Sequence, residues 1–141
     1  MGVDVYVEDL DIPPSKIGET ALRVIDRAFD DAHRRRHPLV ANEHLFLALA
    51  QIEWDTFAAL MRDIDVNPRT VLQATEEHIR LLAPGETRDL VLEPAAKLVL
   101  KVALHHANRA GRQAIEAVDL FSAVLEDRHG THASILRRYG V

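Results

Sequence analysis

The octets EHLFLALA (residues 43–50) and VDLFSAVL (residues 118–125) carry Leu-Phe at the same two places and an alanine two residues further on. Sliding the chain on itself by 75 residues superimposes them, and the match extends without a gap over residues 21–66 and 96–141, with twelve of the 46 pairs identical. Self-similarity of this length is a tandem repeat. The identities are of a core type: Ala21/Ala96, Val24/Val99, Ala28/Ala103, Ala32/Ala107, Leu45/Leu120 and Phe46/Phe121. Alanines recurring where helices cross let two backbones approach, and larger apolar side chains fill the space beside them. Two such units, each with one apolar face, bury those faces against each other. The expected fold is therefore all-α, two tandem helical repeats in a pseudo-twofold bundle.

The periodicity around the octets is helical. From Ser15 onward Ile17, Ala21, Val24, Ile25, Ala28 and Ala32 fall at steps of three and four, until His37-Pro38 stops the run. Asn42 is placed to cap the next helix, Asp55 a third, and Asn67-Pro68 opens a fourth that ends at Ala83-Pro84-Gly85. The expected organisation is an N-terminal extension at 1–14 and a domain at 15–141. Within it, repeat 1 covers about 16–82, a linker 83–91 and repeat 2 about 92–141, an eight-helix plan whose final helix is missing or lies beyond this chain. The surface that helix would cover, including parts of Leu120, Val124, Ile135 and Leu136, is expected to be partly exposed. In the leader VDVYVEDLDIPP (residues 3–14), Val3, Val5 and Val7 alternate with polar residues as in a short strand, one candidate to fold back over that surface.

Composition narrows the function. With 48% hydrophobic and 28% charged residues over 141 positions, the chain has the balance of one ordinary globular domain. A net charge of -5 argues against a nucleic-acid partner, because neutralising phosphates needs a basic surface. The single basic run, Arg34-Arg35-Arg36, reads as a helix C-terminus favoured by the dipole. The absence of cysteine removes thiol chemistry and suits a cytoplasmic location. Nowhere do 18 apolar residues run together, so no membrane partner is expected. No G-x-x-x-x-G-K-[ST] occurs, so the chain holds no nucleotide cradle and is not expected to be an enzyme or to bind a cofactor. The pairs His33/His37, His105/His106 and His129/His132 form no closed metal set, and Ser15, Ser122 and Ser134 lack a nucleophile context. Trp54 and Phe57 read as core, with a partner groove as the alternative.

The segments ANEHLFLALAQ (41–51) and AVDLFSAVLED (117–127), closed by ALMRDIDV (59–66) and ILRRYGV (135–141), together resemble the Clp N-terminal domain of the Hsp100/Clp AAA+ unfoldases. The likeness covers about residues 16–141 and leans towards the Clp protease-associated ATPase subunits. It implies a module that recruits protein substrates or adaptors to the AAA+ ring of its parent chain. In one branch of the family it implies recognition of phosphoarginine through a Thr-Glu-His triplet at the second helix of each repeat. Asn42-Glu43-His44 matches two of those three residues. In the second repeat Ala117-Val118-Asp119 does not, leaving at most one such site and an expected weaker cap. The triplet has two readings. Glu43 in a first helical turn can pair with a guanidinium while neighbouring N–H groups receive a phosphate; equally, Asn, Glu and His suit any helix start. A free-standing adaptor or scaffold is the alternative to a domain joined to an ATPase.

Overall fold

The computed structural model describes residues 12–85, 90–127 and 131–138. A 3-10 turn, Pro14–Lys16, leads into α1, Glu19–Arg34; β1, Leu39–Val40, precedes α2, Asn42–Ile52, followed by α3, Trp54–Asp63, and α4, Pro68–Arg80. The second repeat contains β2, Val91–Leu92, then α5, Pro94–Arg109, α6, Ala117–Glu126, and α7, Thr131–Arg138. Among the described residues there are thus seven α-helices, and the expected all-α fold is what the chain adopts. Asn67 accepts a hydrogen bond from the Arg69 N–H and Pro68 stands at the first helical position, as its missing donor allows.

The repeats are joined by reciprocal strand contacts too short to read from the sequence. β1 pairs with β2 in parallel, Val40 opposite Leu92, and Ile17 forms a single parallel bridge with Ile115. The 75-residue offset converts Ile17 into Leu92 and Val40 into Ile115, so these are one contact made twice. In each, the segment leading into the first helix of one repeat pairs with the segment leading into the second helix of the other. Glu93 N–H donates to the Val40 carbonyl and Gly18 N–H to the Ile115 carbonyl, both at 2.9 Å. Two-residue ladders have little stability of their own. They persist here because Ile17, Val40, Leu92 and Ile115 are all buried.

Around this girdle α1 packs on α2 and α5 on α6. Ala21, Ala28, Ala32, Ala96, Ala103 and Ala107 are each 0% exposed, the small side chains that such close helix contacts require. Phe46 stands edge-on to Phe57 at 5.7 Å and lies 5.4 Å from His132, which holds in repeat 2 the position of Phe57 in repeat 1. Leu120, Val124, Ile135 and Leu136 are buried, contrary to the expected exposure. Helices of the first repeat provide the cover: α6 lies against α1 and α2, and α7 against α2 and α4. Since α4 also contacts α3, it packs against helices of both repeats. Val3, Val5 and Val7, the proposed cover, lie outside the described residues, while Ile12 is buried in the core.

Both second helices start on the same device, and it is not the one expected. α2 begins at Asn42, so Asn42 is not its cap; Ala41 holds the cap position and offers no side-chain acceptor. Instead His44, three residues into the helix, turns back so that its Nδ1 accepts the Ala41 N–H at 2.9 Å. Its proton therefore sits on Nε2, 2.8 Å from His37 Nδ1, and His37 in turn bonds the Leu82 backbone. At the matching places of repeat 2, Asp119 accepts the Glu116 N–H at 2.9 Å and is held by a bidentate pair with Arg112. The α6 start is thus well capped despite Ala117-Val118. The partners emerge from equivalent helix ends, where Arg36 (φ 60°) and Gly111 (φ 76°) take the left-handed conformation and the His37 and Arg112 N–H groups close back on Ala32 and Ala107.

The two pairs respond differently to acid. Burial, then the neighbouring His37, lowers the His44 pKa from 6.5 to about 4; burial and Arg35 lower that of His37. Burial works against the Asp119 charge, yet the Arg112 hydrogen bond and the Glu116 N–H hold its pKa below the usual carboxylate value.

Two outcomes follow from these contacts. A Cβ on Gly18 would lie 2.5 Å from the Glu116 carboxylate and 2.6 Å from the Ile115 carbonyl oxygen. Gly18→Ala is expected to destabilise the domain by ~1–3 kcal/mol, the range for forced overpacking, read as a lowered thermal midpoint. For the histidine pair, an unfolded His44 titrates near 6.5 and the folded one near 4, so between these values the unfolded chain binds the extra proton. Stability is then full above about pH 6.5 and declines as pH falls towards about 4. Urea midpoints measured across that interval check the sign. The double variant His37→Arg/His44→Asp, which carries the pair used by repeat 2, is expected to show a shallower decline.

Candidate functional site

A groove of about 550 Å³ opens between α5 and α6 and is closed at one end by the start of α2. Its floor is Val99, Val102 and Ala123, and Leu98, 61% exposed, forms an apolar wall. The rim is polar and acidic: Glu43 and Asn42 from α2, Glu93 ahead of α5, and Glu126 and Asp127 at the end of α6. No lysine or arginine is among the described lining residues. The site is composite, because α2 belongs to repeat 1 and every other lining element to repeat 2.

The predicted triplet divides across this geometry. Asn42 and Glu43 line the groove; His44 is 1% exposed and points away to the His37 contact, a neutral core residue. Asn42 is only 7% exposed. Its Nδ2 donates to Asp127 Oδ2 at 3.5 Å, and its Oδ1 has no hydrogen-bond partner among the described residues. The backbone N–H groups that might have met a phosphate are partly taken: Ala41 N–H by His44 and Asn42 N–H by Glu93 Oε1 at 3.2 Å. Burial raises the Glu93 pKa, the Asn42 N–H opposes that rise, and the Glu43 charge adds to it. A cation placed here would relieve both carboxylates.

Other sequence candidates lie elsewhere. Trp54 is half-buried against Phe57, with the Arg69 guanidinium 5.5 Å above its ring, and borders a separate polar depression with Arg62 and Asp65. Arg34 pairs with Asp30 at the solvated end of α1, whereas Arg35 bridges Asp31 and Glu76 and so ties α1 to α4. His37 meets His44 rather than His33, and His132 is buried with Nε2 3.1 Å from the Asp127 carbonyl. Among the described residues no group of three His, Cys, Asp or Glu is arranged to hold a metal ion. No helix among them is long and apolar enough to cross a membrane.

Sequence reasoning missed Glu93, Leu98, Val102, Glu126 and Asp127. A signal existed in the repeat itself. At the 75-residue offset these face Gly18, Arg23, Arg27, Gln51 and Ile52: two apolar residues stand opposite arginines, and three acids opposite uncharged residues.

Comparison with known proteins places this geometry. The chain is 25% identical over 122 residues to the chloroplastic ATP-dependent Clp protease ATP-binding subunit ClpA homolog of Brassica napus, covering 86% of this chain and 14% of the relative. The chain thus spans about one-seventh of that protein's length. The fold superimposes on the Hsp104 N-terminal domain of Candida albicans with a TM-score of 0.78 at 15% identity, covering 89% of this chain and 83% of that one. It also superimposes on a structure described as a peptide from the EAEC T6SS Sci1 SciI protein, with a TM-score of 0.70 at 23% identity, covering 81% of this chain and 73% of that one. Residues 16–139 match the family described as the Clp repeat (R) N-terminal domain. With its duplicated helices, interlocked strands and composite groove, this chain belongs to the Clp repeat N-terminal domain family.

Proposed function

We propose that this domain recruits protein substrates or adaptors for an ATP-dependent Clp unfoldase, and that the groove at the start of α2 is where they bind. The observation that carries the reading is a largely apolar trough with a polar rim, assembled across both repeats. Support comes from the relatives' description as Clp protease ATP-binding subunits and from the peptide named for one structural neighbour. Asn42 and Glu43 are the contact residues of the predicted triplet, while His44 acts from behind by fixing the α2 start. A cytoplasmic location goes with this reading and rests on the cysteine-free composition.

Whether the domain is joined to an ATPase is tested by reading the open frame past Val141. A G-x-x-x-x-G-K-[ST] motif there supports the unfoldase, and its absence from the whole frame favours a free-standing adaptor. For the site, Glu43→Ala is expected to weaken a bound basic or phosphoarginine-bearing peptide by ~1–3 kcal/mol, the range for a lost charge-assisted hydrogen bond. Val118→Glu, at the matching position of repeat 2, is expected to leave binding unchanged. Equal affinities of wild type and Glu43→Ala in titration calorimetry would remove Glu43 from the site.

A further inference from the structure

The pseudo-twofold generates a second location equivalent to the groove, between α1 and α2 and beside the start of α6, and there a side-chain bridge spans it. Arg23 and Arg27 stand where the open groove has Leu98 and Val102. Arg27 Nε donates to Gln51 Oε1 at 2.7 Å, strapping α1 to α2. Gly18, Val118, Gln51 and Ile52 replace all four rim carboxylates. The Glu116 side chain fills the space that a side chain on Gly18 would need. One location is therefore apolar and acidic, and at its twin two arginines and a bridge stand in place of the apolar wall.

From this contrast we infer that the domain binds a single, unphosphorylated, cationic peptide segment, in which a Lys or Arg enters the acidic end of the open groove and an adjacent apolar side chain lies along Leu98 and Val102. The inference rests on the recruitment reading and specifies its ligand. Charge complementarity carries it: Glu43, Glu93, Glu126 and Asp127 edge the groove without an arginine or lysine among the described lining residues. Glu126 faces only His106 Nε2, at 2.9 Å, in the contacts described for it. Asn42 Oδ1, buried and without a partner among the described residues, is an acceptor and calls for a donor. An ammonium or guanidinium supplies donors and positive charge together, with an alkyl stem suited to the apolar floor. A phosphate supplies neither. It would meet four carboxylates, and two of the N–H groups at this helix start, those of Ala41 and Asn42, are already bonded.

The test is titration calorimetry of the whole chain with three ten-residue peptides of one apolar framework bearing Arg, phosphoarginine or Glu at the same position, with amide shifts recorded for each complex. The Arg peptide is expected to bind one to one, with shifts at Asn42, Leu98 and Val102. Glu93→Gln, which keeps an acceptor for the Asn42 N–H, and Leu98→Glu should each weaken it about tenfold or more, while circular dichroism confirms that both variants fold. Val118→Glu, at the bridged twin, should bind as wild type does. Tighter binding of the phosphoarginine or Glu peptide, or two peptides per domain, overturns the inference. So does binding whose shifts fall outside the groove, although recruitment then stands. No binding by any of the three, with none from a wider peptide array, overturns both.

Discussion

The reciprocal pairing of Ile17 with Ile115 and of Val40 with Leu92 is the constraint on which the rest of the domain depends. Each pairing crosses from one repeat to the other, so neither repeat can satisfy its own leading segments. Four buried aliphatic side chains and a few backbone hydrogen bonds convert two helical hairpins into one body. They also set where α2 and α6 begin relative to α5 and α1. The composite groove exists because of this placement: α2 closes a trough whose walls come from the other repeat.

On this common frame the repeats have diverged at their helix starts. A backbone N–H ahead of each second helix needs an acceptor, and both repeats supply it from a residue three positions into the helix, steadied by one that follows a left-handed helix end. The first uses two neutral imidazoles and the second a guanidinium and a carboxylate. The geometry is conserved by the fold while the chemistry is not. A buried imidazole is stable only uncharged, whereas the Asp119 charge is sustained by Arg112, so of the two helix starts the first is the acid-sensitive one.

The same logic separates the two surface troughs. A duplicated fold starts with two equivalent clefts, and side chains decide which one stays open. Arg27 and Gln51 bridge one; Leu98 and Val102 leave the other apolar and accessible. The single helix α4 contributes to this asymmetry at the far end, where it packs against α3 of its own repeat and α7 of the other and buries Ile135 and Leu136.

Most of the fold was legible in the sequence because helices and repeats are local, periodic signals. The alanine series from Ala21 to Ala32 and from Ala96 to Ala107 announces close helix contacts, and the 75-residue offset announces the twofold. Asn42 and Glu43 could be singled out as a helix start bearing an acid. What the sequence could not supply was any relation made across the chain. A strand of two residues has no period to detect, and His37 and His44 form a pair only because a turn brings one ring to the other. Glu93, Glu126 and Asp127 become one acidic rim only when α5 and α6 pack side by side with α2. The amino-acid sequence alone determined the helices, the duplication and the apolar faces, since these follow from side-chain spacing. Tertiary packing alone decided which cleft stayed open, which imidazole lost its charge and which carboxylates met, because burial and proximity belong to the folded chain and not to its order of residues.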